Sequence, residues 1–177
     1  MPDPVIARPD SSEIPEYFRQ YVRLVPEGDI LELLERQGAQ TVAMVSGLNE
    51  DQALYRYAPE KWSVKQVIGH LSDTERVFTY RALRFSRGDA TALPGFDEND
   101  FVAGANFDER PLRDVLDEFG SVRAASLTFY RSLNAELARR RGVANELRFT
   151  VGSIPYVVAG HERHHARVLS ERYLAAM

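Results

Sequence analysis

The sequence predicts an all-α fold, a four-helix bundle with a short N-terminal helix and a long loop between its second and third long helices. Two observations carry this. Apolar residues recur at three- and four-residue spacing in four long stretches bounded by helix-start and helix-stop residues. No internal repeat is present, and no stretch alternates convincingly as a sheet strand does. A third observation sets the expected length scale: 177 residues suit one domain that buries its own core.

Residues 1–12, with three prolines and few apolar side chains, read as a flexible N-terminal segment, leaving 13–177 as the single domain. Glu13 to Leu24 forms a short helix across the bundle, its Tyr17, Phe18 and Tyr21 expected in the core. Asp29 caps the first long helix, with Glu32 three residues on and Leu34, Val42, Val45 and Leu48 continuing the stripe to Asn49. Ala53 to Tyr57 reads as an extended connector. Ser63 and Gln66 form a capping box for the second helix, which runs to Arg87 and stops at Gly88. Asp89 to Glu109 then reads as a loop, acidic and aromatic, either a lid or a strap over the bundle edge. Asp108 is expected to cap the third helix with Pro111 in its first turn, and Arg139-Arg140-Arg141 to end it before Gly142, where cations suit the helix dipole. Leu147 to Val151 is extended, and Gly152 to Leu174 supplies the fourth helix, with Pro155 in its first turn.

Three of the chain's four histidines lie in Gly160-His161-Glu162-Arg163-His164-His165. At 3.6 residues per turn, His161 and His165 fall in the middle of an arc made by Ile154, Val157, Val158, Val168 and Leu169, whereas His164 sits about 60° away at its edge. Burying two imidazoles one turn apart without a shared partner is costly, and a metal ion is such a partner. His70 lies beside the apolar stripe of the second helix, formed by Val64, Val67, Ile68, Leu71, Phe78, Ala82 and Phe85. It is the expected third ligand. Three histidines leave a fourth position open, the pattern of a catalytic site more than a structural one.

His70 followed about ninety residues later by His-x-x-x-His, Lys61-Trp62-Ser63-Val64 ahead of the second helix and Leu93-Pro94-Gly95-Phe96-Asp97 in the loop together resemble the DinB-like superfamily, over roughly residues 29 to 175. The likeness is to its metal-dependent hydrolase and thiol-transferase branch. It implies a four-helix bundle in which His70, His161 and His165 bind a divalent metal such as zinc or nickel. It further implies a transferase that uses a low-molecular-weight thiol, with a metal-dependent hydrolase as the alternative. A helical binding or structural protein, its metal structural or absent, is the reading from another class.

His161-Glu162-Arg163-His164-His165 is also a literal His-Glu-x-x-His, the zinc-peptidase signature. Its context argues against that reading: twelve residues remain after His165 to supply a further ligand, and Glu162 lies about 80° off the apolar arc. The chain has no cysteine, which excludes disulfides, thiolate ligands and a cysteine nucleophile, so any thiol must arrive on a small cofactor. With 22 Lys and Arg against 26 Asp and Glu, the net charge of −4 gives no basis for nucleic-acid binding. No apolar run approaches the roughly 20 residues of a membrane span. A cytoplasmic protein that acts on a small molecule, with no nucleic-acid or membrane partner and with a second copy of itself as partner in a homodimer, is the expectation.

Overall fold

The computed structural model describes residues 6–177. In chain order the elements are α1 (Glu16–Val22), α2 (Ile30–Val45), α3 (Glu50–Ala53), α4 (Val64–Ser86), α5 (Glu98–Gly104), α6 (Leu112–Arg131), α7 (Ala135–Ala138), β1 (Arg141–Ala144), β2 (Leu147–Thr150) and α8 (Ile154–Val168). The long helices α2, α4, α6 and α8 form the bundle. Among the described residues no helix is long and apolar enough to cross a membrane.

The starts of α2 and α4 follow their sequence signals. Asp29 accepts from the backbone N–H groups of Leu31 and Glu32, and Ser63 and Gln66 complete a reciprocal capping box. Beyond Arg87, Gly88 takes a left-handed conformation (φ 77°) that ends α4.

Each long helix packs against two of the others: α4 against α6 and α8, and α2 against α6 and α8. The first and second long helices are therefore diagonal, as are the third and fourth. This order places α8 beside α4. The two run antiparallel, for His70 meets His161 and His165, whereas Phe78, two turns further along α4, meets Phe149 ahead of α8.

Several expected boundaries move. Residues 89–109 are not an irregular loop: they hold α5 and a 3-10 turn over Phe107–Glu109, and Leu93 bridges to Ala144. Asp108 does not cap α6, because Arg110 ahead of Pro111 is extended and the helix begins after the proline. The Asp108 carboxylate instead accepts from Ser63 Oγ (2.5 Å) and Arg56 Nη2 (2.6 Å). The arginine run does not end the third helix either. α6 stops at Arg131, Asn134 caps the separate α7, and Arg141 begins a β-hairpin whose turn residues Asn145 and Glu146 both have positive φ. That two-stranded hairpin is an addition to the all-α expectation. At the C-terminal end α8 gives way to a π-helical turn over Leu169–Tyr173. At the start, the expected segment 1–12 lies partly outside the described residues; from Ile6, which is buried, it packs on the bundle, with Arg8 donating to the Val25 carbonyl (2.6 Å).

A single guanidinium connects the four long helices. Arg123 of α6 donates to Glu75 of α4 through Nε (2.9 Å) and Nη2 (2.8 Å), to Glu162 of α8 through Nη2 (2.8 Å) and to the Leu34 carbonyl of α2 (2.6 Å). Glu162 also accepts from Gln37 (2.5 Å) and Thr41 (2.6 Å), both on α2. Burial by itself would lower the Arg123 pKa, but the Glu162 and Glu75 carboxylates outweigh it and raise the value above the ordinary arginine range. Replacing Arg123 with Leu leaves two buried carboxylates without their cation, and is expected to destabilise the protein by about 3–5 kcal/mol. Urea denaturation checks this; a loss below about 1 kcal/mol, the scale of an exposed ion pair, would contradict it.

Glycine is required at two helix contacts. A Cβ at Gly160 would lie 2.1 Å from the backbone oxygen of Tyr21, and one at Gly69 would lie 2.4 Å from the Phe107 ring. Each glycine immediately precedes a histidine of the site. At Gly160 the obstacle is backbone and cannot rotate away, so Gly160→Ala is expected to cost roughly 1–3 kcal/mol or more by displacing α1. Thermal denaturation checks it.

Candidate metal centre

The two glycine contacts let α1 and the Phe107 turn approach the bundle where His70 and His161 sit. His70 Nε2 and His165 Nε2 each lie 3.1 Å from His161 Nε2, and the three residues have ligand atoms within 4.8 Å of one another. Bonds of roughly 2.0–2.1 Å to one ion would set two nitrogens about 2.9–3.4 Å apart for angles from octahedral to tetrahedral, a range that contains these separations. A neutral imidazole carries one N–H. A proton on His161 Nε2 serves one neighbour, whereas a cation accepts the lone pairs of all three. The residues fit a divalent ion.

Electrostatics favours the neutral, ligand-competent form. Burial pushes His70 down to about 4 and His165 down to about 3. His161 is pushed well below its ordinary value by burial, then by His165, His70 and His164. Thr74 Oγ1, one turn along α4, lies 3.5 Å from His70 Nδ1, at the limit of hydrogen bonding.

The triad opens into a cavity of about 490 Å³ walled largely by aromatic rings. The Trp62 ring is centred 4.7 Å from that of His70. Tyr173 in the π-helical turn donates to the Trp62 carbonyl (2.7 Å) and fixes the start of α4 there. Tyr21 of α1 meets His161 and His164 edge-on, and β2 supplies Phe149.

His70, His161 and His165 thus come together as the helical register predicts. His164 stands outside the triad, half-buried in the cavity wall. Tyr17, Phe18 and Tyr21, expected in the core, all line the cavity; Phe18 also packs on the core rings of Phe78 and Phe149, whereas Tyr17 is largely exposed. Of the loop aromatics, Phe96 lines it; Phe101 is largely exposed and Phe107 is buried against Gly69. Tyr55 and Tyr57 pack on Tyr173. Glu162 points away from the triad into the Arg123 network, so the His-Glu-x-x-His string does not place a carboxylate at the metal position. Arg81, another residue of the cavity wall, carries no motif that marks it in the sequence. Its signal was its register, three helical turns from His70.

The model of the DinB superfamily matches residues 33–169. The chain belongs to the DinB superfamily. Among solved structures it is similar to YfiT from Bacillus subtilis, described as a probable metal-dependent hydrolase with an unusual four-helix bundle topology. The two are 18% identical, with a TM-score of 0.74 over 93% of this chain and 90% of YfiT, a likeness of fold. No curated protein matches the chain.

The pKa of the buried imidazoles has a signed consequence. His70 titrates near 4 when folded and near 6.5 when unfolded, so between these values the unfolded chain binds more protons. Metal-free protein is expected to keep the full contribution above about pH 6.5 and to lose it progressively as the pH falls toward 4. Urea midpoints across that window check it, with a shallower slope expected for His70→Gln.

Proposed function

We propose that His70, His161 and His165 bind one divalent cation, zinc or nickel, and that this DinB protein is a metal-dependent transferase joining a low-molecular-weight thiol to an electrophile. The observation that supports it is three neutral imidazoles converging at the end of an aromatic cavity with no fourth protein ligand among the described residues. A structural ion calls for a closed set of ligands. When bound, the metal supplies a soft Lewis acid that favours the ionised form of a thiol or of water.

The chain's own residues favour the thiol. Among the described residues, Glu98 is the sole carboxylate lining the cavity, and it is exposed, while Glu162 is held in the core. The triad therefore has no carboxylate base at hand, which suits a thiol (pKa about 8.5) better than water. Trp62, Phe78 and Phe149 offer apolar surface to the electrophile and exclude water. In the transfer a sulfur–carbon bond forms as the bond to the leaving group breaks, the leaving group takes the bonding pair, and the thiol proton passes to solvent.

Metal-dependent hydrolysis is the second reading, favoured by the fold shared with YfiT and its description as a probable metal-dependent hydrolase. Product formation from a chlorinated dinitrobenzene with and without thiols separates the two. The expected result is product only when both metal and thiol are present; thiol-independent addition of water would establish the hydrolase. Elemental analysis of tag-free variants tests the site: His70→Ala, His161→Ala and His165→Ala are each expected to lose the ion, and His164→Ala to keep it.

A further inference from the structure

The chain has two arginines buried deep beside the site, and they are treated differently. Arg123 meets two carboxylates. Arg81 of α4, 4% exposed, donates Nη2 to the Pro94 carbonyl (3.0 Å) and lies over the rings of Phe78 (5.0 Å) and Phe96 (5.9 Å). No carboxylate pairs with it among the described residues, and burial alone lowers its pKa. No buried side-chain nitrogen of the described residues lacks a partner, so Arg81 Nε and Nη1, which make no hydrogen bond, are not sealed in the core, and the residue lines the cavity.

Holding Pro94 and stacking on Phe96 secures the segment ahead of α5, but one hydrogen bond to a carbonyl needs no charge. A neutral amide would serve. A buried cation without a counter-ion is costly, and a guanidinium presents its donors in a fork matched to carboxylate or phosphate.

We propose that Arg81 binds the anionic end of an elongated ligand whose other end reaches the histidine triad. Arg81 is eleven residues beyond His70, three turns, so the two share a face of α4 with about 16 Å of rise between them. Both side chains lean toward the helix N-terminus, Arg81 by more because it is the longer, which leaves roughly 10–16 Å to span. Thr74 and Phe78 lie between them on the cavity wall. The ligand is therefore a molecule with one carboxylate or phosphate group, an uncharged middle and a metal-seeking atom at the far end. Glu98 at the exposed rim disfavours further negative charge there. The identification of the far end as a thiol rests on the function proposed above; the anionic end does not.

The test uses full-length, metal-loaded protein, with fluorescence of Trp62, the sole tryptophan and a cavity residue, as the signal. The probes are 8-mercaptooctanoate and 8-mercaptooctanol, matched in length and differing in charge. The acid is expected to bind about tenfold or more tighter, the scale of a charge-assisted hydrogen bond. Arg81→Gln is expected to remove the difference without changing the affinity for the alcohol, and Arg81→Lys to keep part of it. Equal binding of the two probes by the unmodified protein, or equal weakening of both by a folded Arg81→Gln, overturns the proposal. Should Arg81→Gln not fold, the ratio in the unmodified protein decides. With cobalt(II) as the metal, a sulfur-to-cobalt charge-transfer band reports the thiol end separately. Arg81-dependent binding without that band sinks the thiol function and sustains the anion site; the band without Arg81 dependence does the reverse.

Discussion

The position of Arg123 sets the constraint that the rest of the bundle satisfies. One guanidinium at the centre faces Glu75, Glu162 and the Leu34 carbonyl, on three different helices. Apolar packing tolerates a slide of one helix past another far better than hydrogen bonds of 2.6 to 2.9 Å do. The network thereby sets the axial level of each long helix. It also sets the rotation of α8, because Glu162 turned inward to Arg123 leaves its neighbour His161 turned toward α4. The histidine triad inherits its geometry from an ion pair that stands outside it.

The centre itself is assembled from opposed requirements. Its imidazoles are buried enough to remain neutral, yet one side stays open to the cavity. Gly160 and Gly69, each next to a histidine of the triad, admit the Tyr21 backbone and the Phe107 ring where a Cβ would block them. Trp62 is tied by its backbone to Tyr173 and presents its ring to His70. The same few contacts seal the site and shape its entrance.

The histidine triad was legible in the sequence because two histidines at i, i+4 in an aliphatic stripe violate the ordinary pattern of burial. The helix starts at Asp29 and Ser63 were legible for a related reason, local side-chain capping. Charged core residues were harder to see. Glu75 fills the gap between Leu71 and Phe78, and Arg123 the gap between Phe119 and Leu127, so each continues a core stripe by spacing while contradicting it by charge. A single helix offers no means of recognising its partner's compensating charge. The diagonal arrangement was illegible too, since amphipathic faces say that helices pack but not which neighbour each meets. The aromatics of α1 gave the same pattern whether they faced a core or a cavity.

The diagonal placement bears on how the molecule is built in time. In an up-and-down bundle every pair of successive helices can associate as a hairpin, and local contacts make folding fast. Here α4 and α6 are the one pair of consecutive long helices that pack together; α2 must wait for α6 and α8, far along the chain. Loop-closure entropy is then spent before most of the interhelical contacts form, which raises the contact order and slows folding relative to a simple bundle of this length. Since two of the three triad histidines lie on α8, the triad is complete only when the last long helix docks.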